Sequence, residues 1–190
     1  MRTDLFRGKL VRLGMAEAQV IAENYSRWFR DSEYSRLEDS EYPRLWSVKK
    51  IKEWVEKDRA KDNPRNFIFT VHTLADDQLI GGVGLDGIRW SHGEGYVGIG
   101  LGAREYWGKG YGTEAMRLIL RFAFMELNLR RVTLDVFEYN PRAIRSYEKA
   151  GFKHEGRLRG FLNREGRRWD ILYMGILREE WQQLETASQK

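Results

Sequence analysis

Three glycines at alternate positions, Gly108, Gly110 and Gly112, stand where a strand hands over to a helix. Before them, Tyr96-Val97-Gly98-Ile99-Gly100-Leu101 reads as a strand edged with glycine. After them, Ala115, Leu118, Ile119, Phe122 and Ala123 recur with the spacing of one helix face. Glycine admits backbone angles closed to other residues and lets another molecule come close to the main chain. A helix start adds unpaired N–H groups and the positive end of a dipole, a combination that favours phosphate. The stretch is therefore a candidate pyrophosphate cradle. A Walker loop would need Gly-Lys-Ser/Thr, and Lys109 is followed by Gly110 instead. A dinucleotide fingerprint would need a later third glycine and a first strand ahead of it. A tight turn whose glycines serve packing alone stays open on the loop's own pattern.

The rest of the chain alternates short strand and helix patterns. Lys9–Leu13 reads as a first strand, and Met15–Phe29 carries helical spacing. The acidic, aromatic run from Asp31 to Trp46 reads as a short helix or lid-like loop. Ser47 is a plausible N-cap for a helix bearing Val48, Ile51, Trp54 and Val55, which fades in the turn chemistry of Lys61-Asp62-Asn63-Pro64. Phe67–Val71 and Leu79–Leu85 form a hairpin around Asp76-Asp77, and Trp90–Gly93 turns the chain into the strand before the glycines. Arg131–Phe137 is strand-like. Asn140-Pro141 opens a short helix that Gly151 closes. A last hairpin turns near Asn163–Gly166 and ends at Ile176. This order predicts a mixed α/β fold in one domain spanning 1–190, with a parallel crossover from Tyr96 to Phe137.

Composition removes several function classes. With Cys 0 there is no disulfide, thiolate nucleophile or cysteine zinc site. His72, His92 and His154 lie far apart, which argues against a metal centre. No apolar run approaches the ~20 residues that span a bilayer. The N-terminus lacks the plan of a secretory signal, so a cytoplasmic address is expected. The net charge of +5 is spread among interleaved acids and bases, which speaks against a nucleic-acid partner. The clearest basic cluster is Arg157, Arg159, Arg164, Arg167 and Arg168; it suits an anionic partner or plain solvation.

A second constellation follows the strand after the glycine loop: Asn140, Ala143, then Tyr147-Glu148-Lys149-Ala150-Gly151-Phe152. Together with Trp107-Gly108-Lys109-Gly110-Tyr111-Gly112 it resembles the Gcn5-related N-acetyltransferases. Their loop has the form Gln/Arg-x-x-Gly-x-Gly/Ala, and their later segment Asn-x-x-Ala-x-x-x-Tyr-Glu-Lys-x-Gly-Phe. Trp107 departs from the usual Gln or Arg. Within the family the chain looks closest to the branch of ribosomal-protein N-terminal and spermidine acetyltransferases.

The resemblance implies a twisted mixed sheet of about six to seven strands flanked by helices, with two central parallel strands splayed apart. It implies acetyl-CoA as cofactor, with a binding core over about 94–152 and acceptor-side helices over about 15–62. The expected cofactor-binding residues are Leu101, Gly102, Trp107, Gly108, Lys109, Gly110, Tyr111, Gly112, Thr113, Asn140 and Ala143. Tyr147 is expected to protonate the leaving thiolate. Glu94 is a candidate base, with an exposed hairpin carboxylate as the alternative. A strand amide near Leu101 or Gly102 is the expected donor to the carbonyl oxygen. Glu33, Glu38 and Glu41, in the acidic run, suit a cationic acceptor: a small amine such as a polyamine, or a protein N-terminus. The alternative is a non-catalytic acyl-CoA-binding protein of the same fold. A monomer and an edge-paired homodimer both fit.

Overall fold

The structure is a computed structural model and describes residues 4–61 and 65–187. The turn expected at 61–64 thus falls, from residue 62, outside the described residues.

Strand β1 (Val11–Gly14) buries Val11 and Leu13 and leaves Arg12 and Gly14 partly exposed, the alternation expected of a strand. Three helices follow: α1 (Ala18–Trp28), α2 (Ser32–Glu38) and α3 (Val48–Arg59). Asp31 caps α2, its side chain accepting from the N–H groups of Glu33 and Tyr34. Ser47 caps α3 as its sequence position predicts, accepting from Lys50 N–H at 3.2 Å. The acidic run is therefore helical only to Glu38 and irregular from there to Trp46.

Strands β2 (Phe67–Thr73), β3 (Leu79–Arg89) and β4 (Glu94–Leu101) form an antiparallel meander. Helix α4 (Tyr111–Arg121) follows the glycine loop and continues as a π-helical turn over Phe122–Glu126. Then come β5 (Arg131–Phe137), α5 (Pro141–Ala150), and the hairpin of β6 (Lys153–Arg164) and β7 (Arg167–Leu177). Asn140 caps α5, and Gly151 closes it at φ 106°. The final helix, α6 (Arg178–Ala187), has no counterpart in the sequence reading.

All seven strands join one sheet in the order β1-β2-β3-β4-β5-β7-β6. Only β4 and β5 run parallel, and they pair over just Glu94–Tyr96 with Arg131–Thr133. Beyond that point β4 stays paired with β3 to Leu101, and β5 with β7 to Phe137. Two intact half-sheets therefore separate along their central seam.

The two faces are unlike. Val97, Ile99 and Leu101 face α4; a Cβ on Gly112 would touch Leu101 Cδ1 at 3.4 Å. The opposite face of β3 and β4 is bare, with Gly82 opposite Gly100 and Gly84 opposite Gly98. Over it lie α1 and α2: added Cβ atoms on Gly82, Gly100 and Gly102 would meet Tyr25, Glu38 and Trp28 respectively. Glycine here makes room for a roof of large side chains.

Candidate active site

One cavity of about 940 Å³ occupies the seam and runs beneath the α1–α2 roof. Its anion-binding end is the turn into α4. Gly108 and Gly110 hold φ of 72° and 94°, conformations that L side chains rarely adopt. A Cβ on Gly108 would meet nothing within 4 Å, so tight packing does not explain that glycine. Among the described residues, no N–H from Gly108 to Thr113 has a hydrogen-bond partner. Six adjacent donors at a helix start, beside Arg117, Arg142, Arg145 and Lys149 on the lining, make a site for a polyanion. The hairpin arginines are absent from this lining. Arg157 pairs with Asp170 at 3.1 Å, and Arg167 stacks on Trp169 at 3.9 Å.

Trp107 occupies the head of the cradle with its indole turned to the sheet. Its Nε1–H donates to Leu101 O at 2.6 Å, and Arg142 stacks on the ring at 3.7 Å. The tryptophan thus satisfies a strand-edge carbonyl that the parted β5 leaves unpaired. Gly102 N–H donates to Ile80 O at 3.0 Å across to β3. Alternation along the strand turns the N–H groups of Ile99 and Leu101 to the opposite edge, into the seam. Of the two amides expected to face a carbonyl oxygen, Leu101 is the free one.

Where the seam meets the roof, Glu38 and Tyr147 line the same cavity. Glu38 reaches down from the end of α2, its carboxylate lying where a Gly100 Cβ would be. It is accessible from the cavity, yet the protein around it removes water, and with help from Asp39's charge this pushes its pKa up to about 7. Tyr147, buried on α5, packs its ring on Phe152. Burial first, then the charges of Glu38 and Asp135, raise the pKa of its hydroxyl, so it holds its proton at neutral pH. Its hydroxyl has no hydrogen-bond partner among the described residues. A carboxylate that titrates near neutrality and a phenol that does not are a base and an acid in one chamber.

A family model described as an acetyltransferase (GNAT) domain matches residues 12–153. The chain belongs to the GNAT acetyltransferase family. It is 33% identical over 154 residues to the SPbeta prophage-derived N-acetyltransferase YokL of Bacillus subtilis, covering 80% of this chain and 82% of that one. It is 32% identical over 109 residues to a putative ribosomal N-acetyltransferase, YdaF, of the same organism, covering 57% and 59%. Among solved structures it resembles the spermidine N-acetyltransferase of Vibrio cholerae in complex with CoA and spermine, at TM-score 0.78 and 26% identity, covering 90% of this chain and 98% of that one. As a GNAT acetyltransferase the chain is an acyltransferase, and its parted β4 and β5 are the splayed strands the resemblance implied.

The structure gathers most of the expected site residues of this GNAT domain but not all of them. Leu101, Trp107, Gly108, Gly110, Gly112, Thr113, Asn140, Ala143 and Tyr147 line the cavity. Asn140 Oδ1 is committed to capping α5, accepting from Ala143 N–H at 3.1 Å. Glu94 lies outside the lining and pairs with Arg89 at 3.2 Å. Glu33 pairs with Arg104 at 2.6 Å, and Glu41 is exposed, so Glu38 alone of the three acceptor-side acids enters the cavity. Sequence reasoning missed Tyr25, whose helical spacing reads as ordinary core, and Asp86 and Asp135, one just past a strand pattern and one inside another.

Proposed function

We propose that this GNAT domain transfers an acetyl group from acetyl-CoA to a primary amine, with Glu38 as base and Tyr147 as acid. The observation that carries the reading is their pairing in one cavity at the mouth of the seam, beside six free N–H groups. Those donors and the neighbouring arginines fit the pyrophosphate and the further phosphate of a CoA. The unpaired edge of Ile99 and Leu101 fits the amide-bearing arm of the same molecule.

Acetyl-CoA, when bound, supplies an acetyl group activated as a thioester. Glu38 accepts a proton from the acceptor ammonium and frees the nitrogen lone pair. Leu101 N–H is the donor available to a carbonyl oxygen gathering negative charge. Tyr147 Oη gives its proton to the departing sulfur, and solvent restores it. The roof of Trp28, Tyr25 and Tyr34 keeps this chamber poor in water, which strengthens each of these interactions. The acceptor is a small amine or a protein N-terminus; the spermine in the Vibrio cholerae relative favours the former.

Thiol release from acetyl-CoA, followed over a panel of amines, tests the reading. Turnover on at least one primary amine is expected, and Tyr147→Phe is expected to lower kcat by about 10²-fold or more. Tight CoA binding without thiol release on any amine would instead make the chain a non-catalytic acyl-CoA binder.

A further inference from the structure

The cavity does not end at Glu38. It continues along the bare face of β3 and β4, over Gly82, Gly84, Gly98 and Gly100. A Cβ on Gly98 would meet nothing within 4 Å, so the trough is open above this floor. At its far end Asp86, opposite Tyr96 in the β3–β4 register, and Asp135 on β5 flank the Tyr96 ring. Tyr96 responds to both charges: burial first, then Asp135 and Asp86, hold its hydroxyl protonated. Burial also raises the Asp86 carboxyl. Among the described residues, neither aspartate has an ion-pair partner, although 33 lysines and arginines are available in the chain. Two unpaired acids facing one trough are a standing source of negative potential.

A separate observation lies at the other end of the trough. Tyr34, only 2% exposed, lines it at the Glu38 end, and its hydroxyl has no hydrogen-bond partner. A buried hydroxyl left unsatisfied costs free energy that a bound donor or acceptor would recover. Gly100, under Glu38, lies four residue steps along β4 from Tyr96. That is about 13 Å of strand, the distance from one polar end of the trough to the other.

We infer that Asp86, Tyr96 and Asp135 form a second cation subsite, which takes the distal positive charge of an extended, unbranched acceptor whose reacting amine sits at Glu38 and Tyr34. The inference rests on the amine-acetylating reading above and deepens it: the acceptor class is a chain carrying two cationic groups. An alkane diamine or polyamine and a peptide with a lysine a few residues from its N-terminus share that chemistry.

The experiment compares kcat/KM for α,ω-diamines of increasing length, the matching monoamines, and peptides with one lysine at successive positions. The proposal expects diamines to exceed their monoamines, with an optimum at intermediate length. In Asp86→Asn, Asp135→Asn and the double variant, the diamine-to-monoamine ratio should fall, by about tenfold in the double variant. Taking the ratio removes any effect of Asp135 on Tyr147 itself. Preference for lysine peptides over diamines would identify the peptide source; the reverse identifies the small amine. A ratio that is near one in the wild type, or unchanged in the double variant, overturns the subsite. If the wild type acetylates no amine, the transfer reading fails on its own. Calorimetric titration of the CoA complex with the diamine then decides the subsite: a Kd raised about tenfold in the double variant supports it, and an unchanged Kd overturns it.

Discussion

At the scale of single residues, Glu38 is the group on which function turns. Its carboxylate must be ionised to accept a proton, so kcat/KM should climb with pH and level off above about 7. Glu38→Gln should lower kcat/KM by about 10²-fold and remove that inflection, leaving only the titration of the acceptor amine. A pH profile of the variant that keeps the inflection near neutrality would assign the base elsewhere. The same carboxyl bears on stability. Folding raises its pKa from 4.5 to about 7, so the folded chain holds the proton more tightly than the unfolded one. The Glu38 contribution to stability is therefore highest below pH 4.5 and declines as pH rises toward 7. Gly100 offers an independent handle. A methyl there collides with the carboxylate, the free end of a flexible side chain, rather than with backbone. Gly100→Ala should leave melting behaviour close to wild type while costing about 10²-fold in kcat/KM, the scale of an ångström-sized misplacement. A variant that unfolds, or one with full activity, would contradict that placement.

At the scale of elements, the short helix α2 is held from a distance. One Arg164 nitrogen at the end of β6 donates to the carbonyls of Asp39, Ser40 and Glu41 at 2.9, 2.8 and 2.7 Å. Arg36 of α2 pairs with Glu165 at 2.6 Å, and Tyr139 Oη donates to Arg36 O at 2.7 Å. Arg164 is thus a positioning residue for Glu38. Arg164→Ala should lower kcat and shift the Glu38 inflection while leaving the Kd for CoA unchanged; a lysine, with three donors on a shorter stem, should recover part of the loss. Unaltered pH dependence in the alanine variant would reduce Arg164 to a surface residue. This clamp also marks the limit of what sequence shows. Elements with caps and strong periodicity were legible: Ser47 and α3, the glycine turn and α4, Asn140 through Gly151 and α5. Helix α6 was not, because Trp181 and Leu184 are too few apolar residues to reveal a helical period. The acidity of the Asp31–Glu41 run was plain, but its division of labour was not. Asp31 caps α2, Glu33 goes to Arg104, and Glu38 enters the cavity only because a seven-residue helix ends in that phase. Likewise the basic cluster was visible, while the carbonyls that Arg164 reaches, more than a hundred residues away, were set by the β6–β7 hairpin.

At the scale of the molecule, the sheet is two paired halves joined by a short seam. Strands β1 to β4 and strands β5, β7 and β6 are each paired in turn, with local bulges, and between the two sets only three residue pairs are in register. Helix α4 and the hydrogen bond between Thr113 Oγ1 and Ser146 Oγ, 2.8 Å long, tie α4 to α5 across the gap. A molecule that fills the seam and bonds to the Ile99–Leu101 edge would therefore act as a missing strand, coupling the two halves. Binding to the folded state alone adds about 2.7 kcal/mol at a ligand concentration of 100 Kd. For a domain of this size each kcal/mol moves Tm by roughly 2–4 °C, so saturating CoA should raise Tm by about 5–10 °C. Mass action predicts that much for any tight ligand; the seam adds a more local consequence. Amide hydrogens of Ile99 and Leu101, which lack a strand partner, should gain protection in the complex, and those of β5 beyond Thr133 should slow with them. Amides of β2 from Thr70 to His72, paired on both sides, should change little. Protection spread evenly over the sheet, with no excess along the seam, would mean that CoA binds the cradle without bridging the halves.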